Sequence, residues 1–372
     1  MQQRLCHVEH GMVSWHPHGW TVFRLLEDAV RTHVQRGGYR EVRTPQLVRR
    51  EVWETSGHWS AFADGMFVVD DAALKPVNCP GHIAIVQKLV PSWRDLPLRI
   101  AEMGVVHRNE ESGALNGLFR LRQFTQDDGH IFCTDEQVAG EVARFCRELP
   151  AFYARFGFDD ISVALSLRPD NRLGDEAWWD RAERELADIV AACNLPCEVQ
   201  PGAGAIYGPK LEFILRDRRG RPWQCGTIQL DFVMPQRFDV RYVDASGAKR
   251  HVVMLHRALL GSFERFIAIL LEHGLPAWLA PEQVAILPVG PQHVARAGEV
   301  AERLGLRARI DDDGTLSRRI VAAHQDGIPF AVIIGDRELA GGTLSVRARD
   351  RQWSGPADTV ITEVAERCMQ RA

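Results

Sequence analysis

The sequence has no long apolar run, no leader-like beginning and no cluster of cysteines. No apolar run approaches the roughly 18–20 residues that a membrane-spanning helix needs. The first residues, MQQRLCHVEHGM, show no basic stretch followed by an apolar one, so we expect no secretory signal and a cytoplasmic protein. The 8 cysteines are scattered along 372 residues, which favours cytosolic thiols over a disulfide framework.

The chain also lacks a strong charge of either sign. A formal net charge of -4 argues against indiscriminate binding of polyanions, although it does not exclude a local basic patch. The 45% hydrophobic and 25% charged content is ordinary for a globular protein. We find no repeats and no low-complexity segment, and the length is sufficient for two or three domains.

What the sequence does contain is a patterned stretch at residues 100–132. Two runs of β-forming residues, at 104–107 and 119–124, flank a polar loop with glycine, which predicts an antiparallel hairpin. Arg108 and Glu110 end the first strand, and the second carries polar or aromatic residues at even positions. Those residues are Arg120, Phe124, Gln126, Asp128 and His130. Period-two alternation puts them on one face, suited to an anion, a flat ring and a metal. The alternative is a solvated face of an amphipathic hairpin.

The surrounding segments alternate between helical and extended patterns. A helix is predicted over 19–36, and a strand over 39–48, where Pro45 favours a sheet edge. Further helices are predicted over 136–153 and 175–193, and a strand over 161–169. Residues 202–232 are typical of a strand, a turn and a strand, with a second polar set. That set is Tyr207, Lys210, Gln224, Thr227 and Gln229.

A strand that becomes a helix is predicted over 252–273, with Ser262 near the break. Arg265 on that apolar helix requires an anionic partner, because a buried unpaired charge is costly; the alternative is a surface arginine. A proline-rich connector at 276–281 then leads to a β-α-β-α-β alternation. This alternation predicts a separate α/β domain of about 90 residues.

For two single residues, His58 and Cys79, a purely structural interpretation is the alternative to a functional one. His58 lies in the aromatic stretch WETSGHWSAF, where a histidine in a surface turn is an equally good interpretation. Cys79 lies in the tight turn KPVNCPGH, and a lone cysteine is usually a small buried apolar residue.

Five longer motifs occur in the chain in a definite order: KPVNCPGH, FRLRQFTQDDGHIF, YGPKLEF, QCGTIQLDF and HRALLGSFERF. Together they resemble the threonyl-tRNA synthetase family of class II aminoacyl-tRNA synthetases. The resemblance runs from about residue 19 to 281 and continues more weakly to the end. Several long motifs in the right order are far more specific than one short pattern.

The resemblance implies an α+β fold. It implies a class II synthetase catalytic domain over 1-278, an antiparallel sheet flanked by helices, and an α/β anticodon-binding domain over 279-372. It also implies a homodimer that binds L-threonine, ATP with Mg²⁺, and tRNA(Thr).

A zinc ion held by Cys79, His130 and His256 is implied as well. One thiolate and two imidazoles are ligands that zinc prefers, and three protein ligands leave one position open for a substrate.

The resemblance also assigns roles to single residues. Catalytic roles fall to Arg108, Arg265, His58 and Lys210. Nucleotide contacts fall to Glu110, Arg120, Phe124, Gln224, Thr227 and Ser262. Threonine contacts fall to Val77, Gln126, Asp128, Tyr207 and Gln229, and anticodon contacts to Glu338 and Arg347. Phe124 would stack on adenine, the two arginines would hold the triphosphate, and His58 would assist transfer to tRNA.

The chain departs from the family pattern at Val77, Asn116, Gln123 and Gly129, and at DDDGTLS (311–317), whose aspartates would repel phosphate. It begins almost at the catalytic domain, so we expect activation without an editing domain in the same chain. Serine, which lacks only a methyl group, would then be hard to reject. The alternatives are a threonine-adenylating paralogue with a non-tRNA acceptor or a specialised resistance or biosynthetic role, and a non-catalytic tRNA-binding regulator.

Overall fold

The computed structural model describes residues 2–89 and 91–369. The helices are α1 (Gln2–Leu5), α2 (Pro17–Arg36), α3 (Arg50–Ser56), α4 (His58–Phe62), α5 (Cys79–Leu89), α6 (Asp135–Ala154), α7 (Glu176–Ala192), α8 (Val233–Arg237), α9 (Phe263–His273), α10 (Val294–Leu304), α11 (Leu316–Gln325), α12 (Asp336–Gly341) and α13 (Ala357–Met369). None of these helices is long and apolar enough to cross a membrane.

The strands in the described residues are mostly short. They are β1 (Cys6–Glu9), β2 (Met12–Trp15), β3 (Arg40–Glu41), β4 (Leu47–Arg49), β5 (Val68–Val69), β6 (Ala72–Leu74), β7 (Leu98–His107), β8 (Gln123–Cys133), β9 (Ile161–Ser166), β10 (Cys197–Gln200), β11 (Lys210–Arg216), β12 (Pro222–Asp231), β13 (Arg241–Val243), β14 (Lys249–His251), β15 (Val253–Ala258), β16 (Val284–Pro288), β17 (Ala308–Ile310), β18 (Phe330–Ile334), β19 (Thr343–Ala348) and β20 (Gln352–Pro356).

The chain divides into two compact units. The larger unit comprises Val8–Val13 and Leu26–His273, and the C-terminal unit comprises the described parts of Met1–His7, Ser14–Leu25 and Gly274–Ala372.

An eight-stranded sheet organises the larger unit, in the order β10-β9-β11-β12-β15-β8-β7-β3. The six central strands run antiparallel to their neighbours, and only the two edge strands pair in parallel. The hairpin predicted from the sequence is β7 with β8. Because β15 pairs with β8, His256 lies directly opposite His130 in the middle of the sheet.

Helices α6, α7 and α9 pack on this sheet. Helix α6 begins with a capping box, in which the side chains of Thr134 and Gln137 each bind a backbone amide of the first turn. Behind the sheet, the rings of Tyr153, Phe156 and Phe266 pack together in a buried aromatic cluster. This core fixes the strand register on which the site depends.

A five-stranded sheet, in the order β17-β16-β18-β19-β20, organises the C-terminal unit. The first three strands are parallel and the last two are antiparallel. Helices α10 and α13 cover an apolar core that includes Ile286, Val300, Val332 and Val364. The α+β fold class with a second, α/β domain is therefore confirmed.

Three details differ from the sequence-based predictions. The strand predicted over 39–48 is two short strands, β3 and β4, because the segment around Pro45 leaves the ladder. The second hairpin strand begins at Gln123 rather than near 119, so Arg120 precedes it in a turn. Several short elements were not predicted, among them helices α3, α8 and α12 and strands β13, β14 and β20.

Candidate active site

The even-numbered face of β8 forms one wall of a cavity of about 450 Å³. Along β8 the odd residues from Thr125 to Gly129 are buried, whereas the even ones between them are half-buried, as the alternation predicted. Residues from the hairpin, β12, β15 and the start of α9 line the cavity. Those predicted from the sequence are Arg108, Glu110, Arg120, Phe124, Gln126, Gln224, Thr227, Ser262 and Arg265.

Arg108 projects into this cavity from the end of β7. Its guanidinium carbon lies 5.1 Å from the centre of the Phe124 ring, and its Nε donates to the carbonyl of Pro76 at 3.3 Å. Burial lowers the pKa of Arg108, with nearby acidic groups acting in the opposite direction. In the described part of the chain no carboxylate forms an ion pair with it, so its charge is directed at the cavity.

Arg265 supplies a second positive charge from the first turn of α9. Its guanidinium donates to the carbonyl of Gln224, and its backbone amide donates to Ser262 Oγ at 3.3 Å. The anionic partner that the sequence led us to expect is not found among residues 2–89 and 91–369. Two arginines without acidic partners in one cavity suit an anion with several charges.

Glu110 and Arg120 bind each other at the edge of the cavity. Arg120 donates to the Glu110 carboxylate at 2.8 Å and 3.0 Å. The Arg120 side chain is 57% exposed and that of Glu110 only 19%. Both residues therefore line the cavity, where they neutralise each other; the nucleotide contacts predicted for them stay a prediction.

A cluster of metal-binding side chains lies further along the same strand. Cys79 begins α5, His130 lies on β8 and His256 on β15, and their ligand atoms all lie within 4.8 Å of one another. His130 Nε2 is 2.9 Å from His256 Nδ1, which is 3.4 Å from Cys79 Sγ. Burial raises the pKa of the Cys79 thiol and lowers that of His130.

The donor set fits a tetrahedral metal such as zinc. Ligand nitrogens around tetrahedral zinc lie about 3.3 Å apart, so only a small opening of the cluster would admit the ion. The nitrogen of His256 that faces away, Nε2, is 2.8 Å from an oxygen of the buried Asp231. A histidine ligand fixed in this way by a carboxylate is common at metal sites.

Polar residues predicted to contact the amino acid surround this cluster. Asp128 accepts a hydrogen bond from Asn78 at 3.0 Å, and its other oxygen is 3.7 Å from His130 Nε2. The Tyr207 ring centre is 5.2 Å from that of His256, and Gln229 pairs with His256 across the strands. Val77 packs beside Cys79 in the adjacent apolar core. Gln126 Oε1 is buried without a partner in the described structure.

His58 is buried, so the alternative of a surface turn was wrong. Its Nδ1 is 2.8 Å from Ser56 Oγ, and its ring centre is 6.4 Å from that of Tyr207. Burial, aided by nearby positive groups, lowers the pKa of His58 to about 4. The imidazole is therefore neutral at pH 7.

Lys210 does not join the cavity-lining residues. It begins β11, and its Nζ forms an ion pair with Glu212 at 2.9 Å. The catalytic role predicted for Lys210 has no geometric support in this conformation.

The two residues predicted to contact the anticodon lie in the C-terminal unit. The Glu338 carboxylate accepts from the Gly335 amide at 3.0 Å and from Ser345 Oγ at 2.7 Å, so it stabilises the start of α12. Arg347 lines a separate cavity of about 200 Å³, together with His324 and Arg349.

Two buried acids on the odd-numbered side of the site were not predicted. Asp127 accepts the backbone amides of Leu259, Leu260 and Gly261, the last two at 3.0 Å. Glu264, on α9, accepts the Thr125 amide at 2.9 Å. These contacts tie the hairpin to the segment that carries Arg265. An acid at an odd, core-facing position of a strand was the available signal for Asp127.

Three further residues missed from the sequence lie behind the metal-binding cluster. His82 Nδ1 is 2.7 Å from His130 Nδ1, His82 Nε2 is 3.2 Å from Glu102, and Glu102 pairs with Lys75 at 2.9 Å. His82 lies three residues after Cys79 on α5, a spacing that places both side chains on one helix face.

The sheet and the cavity belong to a domain that matches the core of the class II aminoacyl-tRNA synthetases. Residues 68–274 match the tRNA synthetase class II core domain (G, H, P, S and T), and residues 283–367 match the anticodon binding domain family.

Individual relatives narrow this class further. The chain is 48% identical over 367 residues to a threonine–tRNA ligase of Dichelobacter nodosus, covering 95% of this chain and 57% of that protein. It is 50% identical to one of Laribacter hongkongensis over 91% of this chain and 55% of that protein. The chain thus spans little more than half the length of these curated relatives.

A solved structure agrees. The RNA binding domain of threonyl-tRNA synthetase from Cryptosporidium parvum superposes with a TM-score of 0.90 at 37% identity, covering 98% of this chain and 96% of that one. A putative threonyl-tRNA synthetase from Aeropyrum pernix gives a TM-score of 0.87 at 30% identity, covering 98% and 90%. The chain therefore belongs to the threonyl-tRNA synthetase family.

Proposed function

We propose that this chain activates L-threonine with ATP and transfers the threonyl group to tRNA(Thr). The observation that carries the proposal is one strand face shared by two features. Phe124 and Gln126 on β8 line the cavity that holds the two unpaired arginines, and His130, further along the same face, belongs to the sulfur-and-nitrogen cluster. A nucleotide and an amino acid can therefore bind end to end.

The first step needs binding and charge stabilisation rather than a protein nucleophile. ATP, with Mg²⁺, would place its adenine against Phe124 and its phosphates between Arg108 and Arg265. The threonine carboxylate attacks the α-phosphorus, the bond to the bridging oxygen breaks, and pyrophosphate leaves. Arginine suits this role because it stays charged and binds two phosphate oxygens at once.

The proposed metal is Zn²⁺, held by Cys79, His130 and His256. When bound, it would supply a Lewis-acidic centre for the amino and hydroxyl groups of threonine. Asp128 and Gln126 are proposed to receive the polar groups of the amino acid, and the buried Gln126 Oε1, which has no partner in the described residues, supports this. Valine has no hydroxyl and would leave these groups unsatisfied.

In the second step a terminal ribose hydroxyl of tRNA attacks the adenylate carbonyl and AMP leaves. His58 is proposed to accept the hydroxyl proton, because its lowered pKa keeps the imidazole unprotonated. Glu338 and Arg347 are proposed to contact the anticodon. A homodimer and a cytoplasmic location also belong to the proposal, and sedimentation analysis of the purified protein tests the dimer.

Amino-acid-dependent pyrophosphate exchange, followed by charging of tRNA(Thr), tests the proposal. We expect exchange with threonine, and a fall of about 10²–10³ in its rate in Arg265→Ala, since one donor to the developing charge is lost. Arg144→Ala is the matched control, because Arg144 is a half-buried arginine on α6 that pairs with Glu148 at 2.8 Å and does not line the cavity.

The outcomes distinguish the proposed function from the two alternative functions. Exchange without charging of tRNA(Thr) would favour a threonine-adenylating enzyme with another acceptor. Absence of exchange with every amino acid, in protein loaded with Zn²⁺, would favour a non-catalytic tRNA-binding relative.

A further inference from the structure

We propose that His82 is a positioning residue for the metal centre, and that with Glu102 and Lys75 it fixes the tautomer and ring orientation of His130. This inference rests on the proposed zinc site. His82, Glu102 and Lys75 lie outside the cluster of Cys79, His130 and His256.

The three side chains form an unbroken buried chain behind His130. His82 Nδ1 lies 2.7 Å from His130 Nδ1, and His82 Nε2 lies 3.2 Å from Glu102 Oε2. Glu102 Oε1 accepts from Lys75 Nζ at 2.9 Å. The exposed fractions are 0% for His82, 2% for Glu102 and 1% for Lys75, so water does not compete for these bonds.

The direction of each hydrogen bond follows from the metal-facing nitrogen. His130 Nε2 faces His256 and the cluster, and a nitrogen that binds a metal carries no proton. The proton of neutral His130 must then be on Nδ1, from which it is donated to His82 Nδ1. His82 Nδ1 is therefore the acceptor, and His82 carries its own proton on Nε2, donated to Glu102.

Glu102 is held in the ionised form that this direction requires. Burial alone would raise the pKa of Glu102, but hydrogen bonds from His82, the Thr44 amide and Lys75 lower it to about 2. Thr44 Oγ1 donates to the second carboxylate oxygen at 2.8 Å. An ionised carboxylate has no proton to donate, so Glu102 can only accept from His82, and all the hydrogen bonds from His130 to Glu102 run in one direction.

His82 cannot itself serve as a ligand in this arrangement, because neither of its ring nitrogens is free. The other histidine ligand, His256, contacts the carboxylate of Asp231 directly. The two imidazole ligands are thus anchored differently, one by a carboxylate and one by a carboxylate acting through a second imidazole. The second arrangement needs a histidine at position 82 rather than any polar residue.

Two substitutions test separately the hydrogen bond between His130 and His82 and the hydrogen bond between His82 and Glu102. In His82→Asn the amide oxygen lies near the former Nδ1 and still accepts from His130, whereas the contact with Glu102 is lost. In His82→Gln the amide nitrogen lies near the former Nε2 and still reaches Glu102, whereas the acceptor for His130 is lost. His273→Gln is the matched control, a buried histidine whose Nε2 lies 3.0 Å from the Gly157 carbonyl oxygen in the same unit.

The measurement is the dissociation constant for Zn²⁺, by competition with a chromophoric chelator, with urea unfolding as a check on folding. We expect His82→Gln to weaken zinc binding about 10–100-fold, His82→Asn clearly less, and His273→Gln not at all. The Co²⁺-loaded protein should show shifted visible bands in His82→Gln alone.

Wild-type affinity in a folded His82→Gln, or a loss in His82→Asn as large as that in His82→Gln, would overturn the inference. A wild-type chain that binds no zinc would instead refute the metal centre in the proposed function, so the two failures are distinguishable.

Discussion

Glu264 offers a direct test of how burial acts on the link between the hairpin and α9. Its carboxyl group is 4% exposed, and both oxygens face the Thr125 amide, at 2.9 Å and 3.0 Å. Burial, the largest effect, raises its pKa from 4.5 to about 7, because the hydrogen bonds from the Thr125 amide and hydroxyl and from the Glu264 amide do not replace lost hydration. The perturbation is Glu264→Gln, which keeps an acceptor for Thr125 and removes the titration.

The sign follows from linkage between protonation and folding. In the unfolded chain Glu264 ionises near pH 4.5, whereas in the folded chain it stays protonated until about pH 7. Its contribution to stability is fully present below the unfolded pKa and is lost as the pH rises through the folded pKa. At about 1.4 kcal/mol for each pH unit, the loss approaches about 3 kcal/mol by pH 8.

The assay is urea unfolding at pH 5, 6, 7 and 8, followed by tryptophan fluorescence. We expect the stability of Glu264→Gln relative to wild type to increase by about 2.5 kcal/mol between pH 5 and pH 8, because part of the loss has already occurred at pH 5. Groups that titrate alike in both proteins cancel in this difference. Glu111→Gln, at an exposed position, serves as the control and should show no such change.

Parallel pH profiles for wild type and Glu264→Gln would refute the reasoning. They would mean that the carboxylate is as well solvated in the fold as in the unfolded chain, and that the Thr125 contact does not report a buried acid.

Three further predictions concern activity. Asp127→Ala leaves the amides of Leu259 to Gly261 without an acceptor, so pyrophosphate exchange should fall about 100-fold or more through misplacement of Arg265, and unchanged exchange would contradict the coupling. His58→Ala should slow single-turnover transfer to tRNA at least about 100-fold while exchange stays within a few-fold; equal losses in both steps would remove its proposed role. Serine should support exchange faster than valine, because it keeps the hydroxyl and loses only a methyl group worth about 1–3 kcal/mol, and a serine rate no higher than that for valine would exclude a pocket that selects the hydroxyl.

The hairpin illustrates how far the sequence alone can lead. Alternation along β8 correctly predicted that Phe124 and Gln126 would share a face, because side-chain direction in a strand depends only on parity. Arg120 was predicted to lie on the same strand, but it precedes β8. Outside a strand, odd and even positions do not point to opposite faces. Local periodicity is reliable only within the regular element that produces it.

Contacts between distant segments could not be derived in this way. Cys79 and His256 are 177 positions apart, and their proximity was predicted from the family resemblance rather than from their spacing. His82 was visible in the same motif as Cys79, but nothing local indicates that its ring meets His130. That contact depends on how α5 approaches β8, and this is decided by the packing of the whole apolar layer between them.

The two faces of strand β8 differ in function: one faces the cavity and the other faces the core. Its even face carries Phe124, Gln126 and Asp128, the half-buried positions at which substrate contacts are proposed. Its odd face carries Asp127, buried and bonded to the backbone just before Ser262 and Arg265. Because one strand links the two, the odd-face bonds set the position of Arg265 relative to Phe124, and a mutation that removes them should lower stability and activity together.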